Sequence, residues 1–117
     1  MSTSRAETWL WLAQRISAAV LAVAVAVHLG GIIFAVQGGL TAAEIAGRVG
    51  GSLGWGAFYG VFVAAAAVHA PIGIRTVLGE LTPLRASSVN VIAALFSLWL
   101  LLAGFAAVRA IYRLGAP

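Results

Sequence analysis

The sequence has no cysteine, lysine or aspartate, and charge of either sign is scarce: seven arginines and three glutamates make up 9% of its 117 residues. Without cysteine there is no disulfide, no thiolate metal site and no ligand for an iron–sulfur cluster within the chain. With so little charge the chain cannot cover the surface of a soluble domain of this length. The formal net charge of +4 does not point to nucleic acid. Four of the arginines lie beside apolar runs and read as membrane-interface anchors, which leaves no solvated basic face. Hydrocarbon is what the chain has in excess, with 62% of residues hydrophobic. The expected architecture is all-α: one membrane-anchor domain over residues 1–117, with three transmembrane helices forming part of a multi-subunit bundle in the bilayer.

The spans are expected at about 11–36, 54–79 and 88–110. Residues 1–8 are short and polar and read as loosely ordered. The first apolar run, Ile16 to Val36, is 21 residues long, and its only polar members are Ser17 and His28. At 1.5 Å per residue it spans about 30 Å, enough for the hydrocarbon core. Trp9 and Trp11 before it suit the headgroup boundary. A cleaved signal peptide is the competing reading, but its apolar core would be shorter. Gln37-Gly38-Gly39 ends this helix. Thr41-Ala42-Ala43-Glu44 has the form of a capping box, which predicts a two-turn surface helix over 42–49, stopped by Gly50-Gly51. The second span opens with Trp55, Phe58 and Tyr59. Leu81-Thr82-Pro83-Leu84 makes the turn to the third, which Arg109 and Arg113 close. With the N-terminus cytoplasmic, that face carries Arg5, Arg15, Arg75 and Arg85, against Arg48, Arg109 and Arg113 on the other. A four-to-three majority leaves orientation open on the positive-inside rule alone.

Two histidines interrupt the apolar runs, His28 in the first and His69 in the second. An ionisable side chain in hydrocarbon is costly and marks function; the bland alternative is an interhelical hydrogen bond of about 1 kcal/mol. Two such residues with no acidic partner at that depth favour haem ligation through neutral imidazole. Small residues lie within a turn of each: Ala24, Gly30 and Gly31 near His28, and Ala65, Ala66 and Gly73 near His69. They can admit a flat macrocycle or simply aid helix packing. Pro71 removes a backbone donor two residues past His69 and is expected to kink the helix. If Arg15 and Arg75 lie at one interface, His28 is about 20 Å deep and His69 about 9 Å deep. An offset of about 10 Å rules out one iron shared within the chain. Arg15 and Arg75 can snorkel to the interface or hold haem propionates or a quinone carbonyl. Arg75, with a helical turn still to run, is expected to meet a buried partner.

The segment His69-Ala70-Pro71-Ile72-Gly73-Ile74-Arg75-Thr76-Val77-Leu78-Gly79-Glu80 resembles helix II of the succinate dehydrogenase/fumarate reductase cytochrome b membrane anchors. That family carries His, then Gly-Ile/Leu-Arg-His, then an acid. His69, Gly73, Arg75 and Glu80 match, and Thr76 replaces the second His. Upstream, Gln14-Arg15-Ile16-Ser17-Ala18 resembles the family's His-Arg-Ile/Val-Ser/Thr-Gly opening of helix I. Gln14 and Ala18 replace the His and Gly, and Trp11 falls where some members place a quinone-contacting Ser. The resemblance implies that His69 is an axial ligand of haem b. It further implies that Arg75 and Arg15 lie near the propionates, and that Arg15, Ser17, Trp11 and Gln14 border a quinone site. His28 parallels a helix I ligand of two-haem anchors in the same superfamily, which implies His28 and His69 as ligands of two different haem irons.

The implied function is that of the anchor and cytochrome b subunit of a succinate:quinone oxidoreductase in a bacterial-type inner membrane. Its partners are a flavoprotein subunit, an iron–sulfur subunit, and either a second copy of itself or a second anchor chain. Flavin and iron–sulfur clusters belong to the partners; nothing here can bind FAD or perform dicarboxylate chemistry. A haem-free anchor and a b-type subunit of another membrane dehydrogenase are the nearest alternatives. A small transporter subunit, with His28 and His69 lining a polar path, is a third, weakened because Glu44 and Glu80 both lie at interfaces.

Overall fold

A computed structural model describes residues 2–115. Four helices follow one another and no strand occurs among the described residues: α1 (Ser2–Gly38), α2 (Ala42–Val49), α3 (Leu53–Leu81) and α4 (Ala86–Leu114). α1, α3 and α4 are each long and apolar enough to cross a membrane. α3 is the middle element, packed against both α1 and α4. Ala65 and Ala67 are both buried on it and lie about 200° apart around the axis, as a helix covered on two sides requires. The whole measures 52 × 24 × 22 Å.

The core is made of small side chains. Ser17, Ala24, Ala65, Ala67, Pro71, Val89 and Ala93 are buried, and no large side chain is fully so. Helices in lipid gain nothing by hiding leucine from hydrocarbon, so close backbone approach drives their association. At the α3–α4 contact a Cβ on Gly104 would meet the Val63 side chain at 2.5 Å. On α3, Gly56 and Gly60 lie one turn apart opposite Tyr112 and Phe105 of α4. At the far end Gly50 rests against Gly115, and the Gly51 amide donates to the Tyr112 carbonyl at 2.9 Å. α2 is thereby tied to the end of α4.

Residues 2–8 do not form a loose leader. α1 is helical from Ser2, and its 37 residues rise about 55 Å, well beyond the hydrocarbon thickness. No glycine or proline interrupts the chain before Gly30. The Thr8 hydroxyl donates to the Ser4 carbonyl at 2.8 Å, and Glu7 is held by Arg75. The other two long helices overrun the expected spans slightly, α3 by one residue at its start and two at its end, α4 by two and four.

α3 runs through Pro71 without a break. Proline lacks the amide that would serve the carbonyl four residues earlier, here that of Ala67. In hydrocarbon no water can take its place. The Ser97 hydroxyl of α4 donates to the Ala67 carbonyl at 2.8 Å, so the defect in one helix becomes a bond to the next. Ser97→Ala should cost about 1 kcal/mol. The check is thermal unfolding of the detergent-purified protein, with Ser97→Thr close to wild type.

The surface helix α2 has the expected reciprocal cap. Glu44 accepts from the Thr41 amide (3.0 Å) and hydroxyl (2.9 Å), and Thr41 Oγ1 accepts from the Glu44 amide (3.2 Å). The amide bond first, then the hydroxyl bond, holds the Glu44 carboxyl below its ordinary 4.5, with Arg48 adding to the effect. The folded value is the depressed one. The cap therefore contributes fully above the ordinary pKa and is lost as pH falls through the lowered value. A carbon-detected carboxyl titration should find Glu44 below 4.5 in the wild type and nearer that value in Thr41→Ala.

Candidate functional site

The face of α1 that meets α3 carries Gln14, Ser17, Leu21, Ala24 and His28, spaced by three and four residues so that they stack along one side. Ser17 is 5% exposed. Its hydroxyl donates to the Gln14 carbonyl at 3.1 Å and lies 3.5 Å from Nδ1 of His69 on α3. Nε2 of His69 makes no hydrogen bond among the described residues. The imidazole lines an open groove of about 360 Å³ with Ala70, Gly73, Ile74, Val77 and Leu78. Gln14 lies against Gly73, and its Oε1 is buried with no hydrogen-bond partner.

His28 shows the same construction with the helices exchanged. Its Nδ1 is 3.3 Å from the Tyr59 hydroxyl of α3, and its ring stands edge-on to Tyr59 and Phe62 at 5.8 and 5.7 Å. Nε2 again has no hydrogen bond among the described residues. The ring borders an apolar cleft of about 560 Å³ that also includes Gly31, Trp55, Ile111 and, among its lining residues, Arg48. A Cβ on Gly30 or Gly31 would meet nothing within 4 Å. Helix packing inside this chain therefore does not call for those glycines; they offer bare backbone to whatever lies outside. Ala24 and Ala65, by contrast, are buried packing residues.

The two imidazoles are farther apart than the expected depths. Ser17 marks the level of His69 on α1, and His28 lies eleven residues on, about 16 Å. Tyr59 marks the level of His28 on α3, ten residues and about 15 Å from His69. The difference arises because Arg15 and Arg75 are not level. Arg75 reaches Glu7, eight residues before Arg15 on α1. No group of three or more His, Cys, Asp or Glu among the described residues can hold a metal, and the two histidines cannot share an iron.

Arg75 is half-buried, and its partners are not deep ones: Nε donates to Asn90 Oδ1 at 2.9 Å, and Nη2 lies 3.3 Å from Glu7 Oε1. It thus ties α1, α3 and α4 together. It lines a cleft between them with Leu10, Pro71 and Asn90, on another side of α3 from the His69 groove. Arg15 is exposed, its guanidinium 5.0 Å above the Trp11 ring. Trp11 and Arg15 therefore face outward, while Gln14 and Ser17 face α3; the four expected quinone residues do not share one surface. Glu7, Asn90 and Ser97 were not singled out from sequence. Asn90 and Ser97 are polar residues within an apolar span, which is a signal. Nothing local marks Glu7, whose partner is 68 residues away.

Both histidine environments suit an axial haem ligand: one ring nitrogen anchored by a hydroxyl, the other unengaged beside an apolar groove with small residues on its wall. The family model of the succinate dehydrogenase/fumarate reductase transmembrane subunit matches residues 1–108. The chain belongs to this family. The match takes in α1, α2, α3 and most of α4. No individual curated protein and no solved structure matches significantly. Together with three apolar spans, membership makes the chain an integral membrane subunit of an oxidoreductase complex. It also implies association with the flavoprotein and iron–sulfur subunits of that complex.

The Glu7–Arg75 pair is exposed, so its worth is small. A double-mutant cycle of Glu7→Gln and Arg75→Gln should give a coupling of about 0.2–1 kcal/mol that shrinks as salt is raised. Thermal unfolding at two ionic strengths checks it; a coupling indifferent to salt would contradict a solvated pair.

Proposed function

We propose that this chain is the membrane anchor of a succinate:quinone oxidoreductase, that His69 is an axial ligand of haem b, and that the Arg15 end of α1 borders the quinone. The observation that carries this reading is the His69 environment: Nδ1 beside a buried hydroxyl, Nε2 free, and an open apolar groove alongside. Haem b, when bound, supplies a one-electron relay between the iron–sulfur subunit and the quinone. His69 binds it, and Arg15 is a cation at that end of the bundle for its propionates; Arg75 faces another cleft and would first have to leave Glu7 and Asn90. Arg15, outward-facing over Trp11, is the donor for a quinone carbonyl, and the Trp11 ring gives the headgroup a flat apolar wall. Gln14 and Ser17 act from the inner side of the helix, on the haem rather than on the quinone. FAD and the iron–sulfur clusters reside in the partner subunits, which dock on the cytoplasmic face with the N-terminus of this chain.

His28 supports a second haem. It has the same free Nε2 and the larger cleft, at a level about 15 Å from His69. Each level holds one imidazole, so a bis-His site takes its second ligand from another chain. A second copy of this chain supplies both; a different anchor chain is the alternative.

The test is a reduced-minus-oxidised spectrum with haem quantitation on the purified complex. Wild type should hold one haem per anchor chain. His69→Ala and His28→Ala should each lower that by half. Unchanged haem in His28→Ala would remove the second site, and unchanged haem in His69→Ala would overturn the reading. Absence of haem in wild type would leave a haem-free anchor.

A further inference from the structure

We infer that Ser17 is a positioning residue that fixes the tautomer of His69, presenting Nε2 as a lone pair; the inference rests on the reading of His69 as a ligand. A serine hydroxyl has one proton and two acceptor lone pairs. Here the proton goes to the Gln14 carbonyl at 3.1 Å, the shorter of its two contacts and the usual outlet for serine within a helix. What remains toward His69 is acceptor capacity. At 3.5 Å the Nδ1 atom can then only donate, so the proton sits on Nδ1 and Nε2 is unprotonated. Ser17 is 5% exposed, so no water substitutes for it, and among the described residues no other polar group bonds the ring. The Tyr59 hydroxyl beside His28 differs, having no other partner among the described residues and so being free to donate or accept.

Two consequences follow. Before any metal binds, the imidazole is already in the only neutral form able to ligate through Nε2. After binding, a hydrogen bond from Nδ1 to Ser17 makes the ligand more basic and favours ferric over ferrous iron. Removing it should therefore raise the reduction potential and weaken haem retention.

The experiment uses two readouts on the full chain. In the haem-free form, with histidine labelled by nitrogen-15 in lipid nanodiscs, His69 should be the Nδ1-protonated tautomer in wild type and in Ser17→Thr. In Ser17→Ala it should move toward the Nε2-protonated form that an unconstrained neutral histidine prefers. In the assembled complex, Ser17→Ala should lose about tenfold in haem affinity. A tenfold loss of ferric preference reads as an upward shift of about 59 mV for a one-electron couple. A merely structural role for Ser17 moves neither tautomer nor potential once folded chains are compared. An unchanged tautomer in Ser17→Ala, or an Nε2-protonated His69 in wild type, would overturn the inference whatever the haem content. Full haem in His69→Ala would instead overturn the ligand assignment and, with it, the role given to Ser17.

Discussion

No water reaches the hydrocarbon core, so every polar group placed there must be answered from within the protein. Several polar side chains of the spans obey this, whereas Gln14 Oε1 and the Nε2 atoms of His28 and His69 have no partner among the described residues. Ser97 answers the Ala67 carbonyl that Pro71 leaves open, Thr76 bonds the Ile72 carbonyl, and Ser17 bonds that of Gln14. Asn90 meets Arg75 at the mouth of the bundle. The hydroxyl that α4 carries at the matching height thus helps α3 to accommodate its proline, and it adds to apolar packing in aligning the two helices.

The same solvent inverts the usual rule of a hydrophobic core. Small residues go inside and large ones face out: Phe34, Trp99 and Leu102 are each more than half exposed. α1 packs chiefly on α3, so much of its circumference remains open to lipid or to other subunits. The open glycines beside His28 belong to this outward surface, as does the Trp11–Arg15 pair. Its clefts lie between helices and open to the outside, where a neighbouring subunit can meet them.

Much of this was legible in the sequence, because the signals are local. The capping box names α2 to the residue: Thr41 and Glu44 are three apart and satisfy each other's amides. Apolar run length gives the three spans, and polar residues inside them flag His28, His69 and Ser17. What was not legible depends on which faces meet. Gln14, Arg15 and Ser17 lie within four residues of sequence, yet 100° per residue sends Arg15 outward and the other two toward α3. The level of Arg75 could not be read from Arg15, because its partner is Glu7, in a stretch whose polar composition suggested disorder. That stretch stays helical because nothing breaks it and because Glu7 has a cation to meet.

The histidines bring these strands together. His69 on α3 meets a hydroxyl of α1, and His28 on α1 meets a hydroxyl of α3. The two rungs are eleven residues apart on one helix and ten on the other, so both hold only in a single register. Sliding α1 by one turn, about 5.4 Å, would break them together. The contacts that align α1 on α3 are therefore the ones that anchor one nitrogen of each imidazole and leave the other unspent. The chain completes neither level alone, since only one imidazole stands at each. On the proposed reading of His69 and His28 as ligands, the pairing of helices inside the anchor prepares both, and a neighbouring chain would complete each site, so that cofactor loading would be coupled to assembly.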